Sequence, residues 1–221
     1  MTSVTAKHKA NGVFLSVREQ GRGDALALVF LHYYGGSGRT WDLVASSLAD
    51  EFRCIAPDLR GWGDSEAPTS GYTVDDMADD IEALAAVMKI GSYVLVGHSM
   101  GGKAAQALAS RRPLGLRALV LITPSPPTPE PMTATGRTRL AQSYGDRDAA
   151  RETLREITAL PLTPALADQV IEDNLRCSRA AWMAWLEIGS WRRYLRTRVV
   201  DRISHAGCRR RRRSCHAQGH A

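Results

Sequence analysis

The stretch Tyr93-Val94-Leu95-Val96-Gly97-His98-Ser99-Met100-Gly101-Gly102-Lys103-Ala104-Ala105-Gln106-Ala107-Leu108 decides the reading of this chain. Residues 93–96 are apolar strand formers, residues 97–101 match G-x-S-x-G, and residues 103–108 are helix formers. Strand, tight turn and helix in that order lift Ser99 to a helix N-terminus, where developing negative charge is favoured. Glycines are needed around it because larger side chains would collide in so sharp a turn, and Gly102 lets the helix approach the sheet. His98 is expected to point away from Ser99 across the turn.

Outward from this motif, short strand patterns alternate with helical ones, which predicts an α/β fold with a mostly parallel sheet and helices on both faces. Strands are predicted over residues 13–19, 26–32, 53–57, 93–97 and 117–123. The later ones are nearly all apolar, as strands buried on both faces must be. Helices are predicted over 41–49 and 100–111. A third starts at Thr73, with Asp75 and Asp76 near its positive end and a buried stripe of Met77, Ile81, Leu84 and Met88. Residues 124–131 hold five prolines in eight positions and form a boundary. Beyond it, residues 133–190 read as wholly helical, with one start at Thr163-Pro164.

Two further motifs stand at strand ends: His32-Tyr33-Tyr34-Gly35-Gly36-Ser37, and Asp58-Leu59-Arg60-Gly61-Trp62-Gly63-Asp64-Ser65. With the Ser99 turn they resemble, in order and interval, the α/β-hydrolase fold family of esterase-like serine hydrolases with a helical cap. The resemblance implies Ser99 as nucleophile and the backbone N–H groups of Tyr34 and Met100 as oxyanion donors, worth about 10² to 10³ in rate each. It implies structural, loop-holding roles for His32 and Asp58. It also implies a core over 1–124 and a helical cap over 125–190, whereas the Arg-rich residues 191–221 depart from the family as an aberrant tail. No cofactor and no metal are expected, and the implied partner is a small carbonyl substrate. Trp182, Trp185 and Trp191, three or more residues apart, are read first as a helix-packing stripe and second as lining for an apolar pocket.

A serine hydroxyl needs a histidine to accept its proton and a carboxylate to orient that histidine. The family supplies both after the cap, on further strands. This sequence leaves the family pattern after about residue 200, with the last strands missing, as truncation or a shifted reading frame in a GC-rich gene would produce. A triad completed by Asp201 with His205, His216 or His220 has no strands to place it. The acid that some family members carry at the end of the earlier strand is absent from Thr123-Pro124-Ser125. The alternative to an ester hydrolase is therefore a catalytically inert product or a non-catalytic binding module.

Composition excludes little else. The 221 residues are 44% hydrophobic and 24% charged, which is ordinary for a globular chain. The net charge of +6 arises entirely in the tail: residues 1–190 hold 19 Lys+Arg against 22 Asp+Glu, and residues 191–221 hold 10 Arg against Asp201. The run Arg209, Arg210, Arg211, Arg212, Arg213 invites an anion-binding reading, but nothing else in the chain supports nucleic acid as a partner. Cys208, Cys215, His216 and His220 match no familiar zinc spacing. The first twelve residues are polar, with no apolar core of a signal peptide, and no run is long enough to span a membrane, so a cytoplasmic protein with reduced thiols is expected.

Overall fold

A computed structural model describes residues 3–193. Six strands, β1 Val4–Ala10, β2 Val13–Gly21, β3 Ala27–Leu31, β4 Arg53–Pro57, β5 Tyr93–His98 and β6 Leu116–Ile122, form one sheet in the order β1-β2-β4-β3-β5-β6. The β1/β2 and β2/β4 pairs are antiparallel, and the β3/β4, β3/β5 and β5/β6 pairs are parallel. The predicted mostly parallel sheet is therefore present, with one strand more than expected. No strand is predicted over the polar residues 1–12, because Lys7, His8 and Lys9 interrupt the apolar residues of β1. Those side chains suit an edge strand, and the Asn11-Gly12 turn, with φ of 48° and 82°, folds β1 back on β2 as a two-residue hairpin requires.

Alternate residues of the central strands serve two cores. Val29, Leu31, Ile55 and Leu95 join the larger one beneath α2 Val74–Val87 and α3 Met100–Ser110, whereas Leu28, Phe30, Cys54 and Val96 pack with Trp41 and Ala45 on the other face, where α1 Asp42–Leu48 lies. Helices thus cover both faces. The predicted 41–49 helix is shorter than expected, being preceded by a 3-10 turn over Gly38–Trp41. At the start of α2, the Thr73 hydroxyl accepts from the Asp76 N–H at 3.1 Å, and the Asp76 carboxylate accepts from the Thr73 N–H at 2.8 Å. Met77, Ile81, Leu84 and Met88 are all buried, as the helical period predicted. A fully buried ion pair between Arg60 and Asp80 (Nε to Oδ2, 2.6 Å) ties the loop after β4 to α2.

One expectation about burial fails. β6 is apolar in composition, yet Val120, Leu121 and Ile122 are 43, 38 and 41% exposed. The reason is position: among the described residues β6 pairs with β5 alone and forms the outer edge of the sheet. After it come the proline-rich segment and four helices, α4 Ala134–Gln142, α5 Arg147–Ile157, α6 Pro164–Leu175 and α7 Arg179–Glu187, closed by a 3-10 turn at Gly189–Trp191. Thr163 caps α6 by accepting from the Leu166 N–H, with Pro164 in the first turn. Trp182 and Trp185 of α7 are buried in the larger core, while Trp191 is half exposed beneath the Arg137 guanidinium. α5 and α6 share a small separate cluster of Ala150, Leu154 and Ile171. No helix of the described residues is long and apolar enough to cross a membrane.

Candidate active site

Ser99 stands between β5 and α3 with φ 49° and ψ −115°, a backbone conformation that L-residues rarely occupy. Three glycines make the turn possible. A Cβ on Gly101 would come within 2.5 Å of the His32 carbonyl oxygen, one on Gly97 within 2.6 Å of the Gly102 backbone, and one on Gly102 within 2.7 Å of Pro124. The turn is also tied to both neighbouring strand ends. The Ser99 N–H donates to the Ile122 carbonyl at 3.2 Å, the Gly101 N–H to His32 at 3.1 Å, and the Ser125 N–H to the Ser99 carbonyl at 3.0 Å. Ser99 is thereby held at the carboxyl ends of β3, β5 and β6, the edge where open α/β sheets place their sites.

A cavity of about 380 Å³ opens beside it, lined among others by Tyr33, Tyr34, His98, Ser99, Glu130 and Trp185. Tyr34 is fixed from its far end: its hydroxyl donates to the Trp182 carbonyl at 3.1 Å, and its ring lies 4.4 Å from that of Trp182 and 5.3 Å from that of Trp62. Met100 is the first residue of α3, so its N–H has no acceptor within the helix, while its side chain is buried in the core. Among the described residues no acceptor meets the Tyr34 N–H either. The structure therefore brings Tyr34 and Ser99 to one cavity wall, with the Met100 amide next to the serine. Burial pushes the Tyr33 hydroxyl up to about 12, and that of Tyr34 further up, so both stay protonated donors.

His32 is not free to serve as a base, and His98 is not hydrogen-bonded to Ser99. The His32 Nε2 accepts from the Leu59 N–H at 3.0 Å, so its Nδ1–H donates to the Tyr33 carbonyl at 2.8 Å. Complete burial holds this ring neutral by lowering its affinity for a proton. His98 packs against Tyr33 and Trp41, with ring centroids 5.2 and 6.4 Å away, and no hydrogen bond to Ser99 is present. Burial and then the neighbouring His32 depress its proton affinity too. Asp58 accepts from the Gly38 N–H at 2.6 Å and the Asp64 N–H at 2.8 Å, which makes it a clasp between two loops.

Sequence reasoning missed Glu130. It lies five residues beyond Ser125, near the far end of the proline-rich stretch, where no strand end or motif marks it. The prolines bring it back to the cavity that holds Ser99, and its Oε2 is buried with no hydrogen-bond partner. Its N–H donates to the Ser190 carbonyl at 2.7 Å. The same carbonyl accepts from Lys103, whose fully buried ammonium also donates to Thr128 and is pushed down to about 8 by burial. A buried carboxylate oxygen without a donor inside a cavity is costly unless a ligand or side chain completes it. Asp201, His205, His216, His220, Cys208, Cys215 and the arginine run 209–213 lie outside the described residues. Among those described, no group of three potential metal ligands is gathered.

This fold and turn have clear relatives. A family model of the alpha/beta hydrolase fold matches residues 27–206, and the chain belongs to that family. It is 35% identical over 114 residues to a 2-(acetamidomethylene)succinate hydrolase of Mesorhizobium japonicum, a match covering 52% of this chain and 40% of that protein. It is 40% identical over 106 residues to an epoxide hydrolase of Caballeronia sordidicola, covering 47% of this chain and 32% of the relative. The matched region thus spans well under half the length of these relatives. Among solved structures, an esterase from Exiguobacterium antarcticum superposes with a TM-score of 0.77 at 23% identity, over 86% of this chain and 75% of that one, a likeness of fold. Cfl2 from Burkholderia cenocepacia gives 0.68 at 27% identity, over 81 and 70%.

Proposed function

We propose that this chain is the Ser99-dependent part of a hydrolase acting on a small ester-like carbonyl compound. The observation that carries the reading is the conformation of Ser99: a non-glycine residue at φ 49°, enforced by three glycines, facing a cavity. Strain of this kind, on the order of 1 to 3 kcal/mol, persists where the surrounding structure imposes it, and it clusters at active sites. The Ser99 Oγ would bond to the substrate carbonyl carbon as its proton passes to a base. The oxyanion would be met by the Tyr34 and Met100 N–H groups, and the alcohol would leave with a proton. Water would then release the acid from the acyl-enzyme.

In this reading residues 1–124 are the core, 125–190 a helical cap and 191–221 an Arg-rich tail. Glu130 is the carboxylate available to orient a protonated base, because it lines the cavity and its buried Oε2 has no hydrogen-bond partner among the described residues, with the Lys103 ammonium as a charged neighbour. The base itself is to be sought at His205, His216 or His220, since His32 is hydrogen-bonded on both ring nitrogens and His98 makes no hydrogen bond to Ser99. The names of the relatives, a 2-(acetamidomethylene)succinate hydrolase and an epoxide hydrolase, support hydrolysis in general, and the ester-like carbonyl rests on Ser99.

The test is hydrolysis of a short-chain nitrophenyl ester by the 221-residue chain, with Ser99→Ala as control and fluorophosphonate labelling of Ser99 alongside. Turnover and labelling that both vanish in the control would support the reading. Folded protein with neither would establish the rival, a binding cavity without chemistry.

A further inference from the structure

A second cavity, of about 480 Å³, lies between α4 and α5 and shares Met132, Thr153 and Ile157 with the Ser99 cavity. Its construction is unusual for two neighbouring helices. α4 has no buried residue, and the buried residues of α5, Ala150 and Leu154, face α6. Thr153 and Ile157, one turn apart near the C-terminal end of α5, line both cavities. Ile157 is 60% exposed, an apolar side chain left in water at the seam. The gap is spanned by Arg139, whose guanidinium reaches Glu156 at 2.7 Å and Glu152 at 3.5 Å. Exposed pairs of this kind contribute little stability, so the helices are held apart around open space at small energetic gain.

Resting on the reading of Ser99 above, we propose that the two cavities are one substrate path. The reacting carbonyl sits beside Ser99, and the rest of an extended substrate passes a waist of Met132, Thr153 and Ile157 into the space between α4 and α5. The substrate class is an ester with a long, uncharged alkyl or aryl-alkyl chain, and Ile157 determines specificity for its length. The far chamber also sets the charge. Asp146, Glu152 and Glu156 line it together with Arg139, three carboxylates against one guanidinium, so a chain ending in its own carboxylate is disfavoured.

The experiment uses unreactive ketones, so that it does not depend on turnover. Affinities of 2-butanone and 2-decanone for the full chain are measured by ligand-observed NMR, in the parent and in Ile157→Trp. Because each buried methylene contributes roughly 0.8 kcal/mol, filling the waist is expected to weaken 2-decanone about tenfold or more while leaving 2-butanone within about twofold. Leu140→Trp, which narrows the far chamber from α4, should do the same, and thermal melts identify any variant that fails to fold. Equal effects on the two ketones, or no effect on either, in folded variants overturn the proposal. Fluorophosphonate labelling of Ser99 separates the two readings: length discrimination without labelling keeps the path and removes the serine chemistry, and labelling without discrimination does the reverse.

Discussion

β5 and β6 are adjacent parallel strands of similar apolar composition, yet they have opposite environments. β5 lies between β3 and β6, its Leu95 and Val96 serving the cores on the two faces, and Leu95 is completely buried. β6 has a neighbour on one side among the described residues, and Val120, Leu121 and Ile122 remain more than a third exposed. Burial in a sheet is thus a property of rank order as much as of composition. β5 also delivers the strained serine, whereas β6 supplies the carbonyl of Ile122 that steadies it. One strand carries the candidate chemistry, and the other buttresses it from the edge of the sheet formed by the described residues.

The sharpest way to break this comparison is at the turn that β5 feeds. Gly101→Val would set its branched side chain against the Leu31 and His32 carbonyls, backbone atoms that cannot step aside. A loss above about 4 kcal/mol is expected, seen as absence of a cooperative urea transition. A near-normal transition would mean that the turn is not enforced by sterics. Next, Leu95→Ala should cost about 2 to 5 kcal/mol in urea titrations, against less than about 0.5 kcal/mol for Leu121→Ala on the exposed edge. Equal losses would show that β6 is covered in solution and that the contrast is wrong.

A smaller effect concerns the lysine behind the serine. The folded proton affinity of Lys103 lies near 8, below its ordinary 10.5, so the unfolded chain binds more protons between those values. Stability should therefore rise with pH across that window, by on the order of 2 kcal/mol, and Lys103→Met should flatten the rise. Urea midpoints at pH 7.5 and 10.5, for both proteins, measure it, and parallel curves would remove buried Lys103 from the account. Smallest is Ser99→Gly, which relieves the positive φ and should raise stability by about 1 kcal/mol while removing the proposed ester turnover. A melting temperature unchanged or lowered by that variant would mean that the serine is not strained.

Local signals were legible where neighbouring residues alone settle the geometry. The cap at Thr73, the stripe from Met77 to Met88, and the glycine pattern around Ser99 were all readable, because each is a short-range steric or hydrogen-bonding requirement. β1 was missed although Asn11-Gly12 is a hairpin signal, since its charged residues suit an edge whose existence depends on β2 across the turn. The role of Trp182 was half legible: its helical spacing promised packing, but its contact with Tyr34 joins residues 148 positions apart.

By itself, the sequence determined the alternating strands and helices, the turn that isolates Ser99, and the families of loop that flank it, because these follow from residue types within a few positions of one another. Only the tertiary structure decided that β6 is an edge, that both ring nitrogens of His32 are engaged, that Glu130 returns to the cavity of Ser99, and that this cavity adjoins a second one between α4 and α5. Those facts depend on which distant segments meet and which polar atoms their meeting leaves without partners, and a linear pattern contains no term for that.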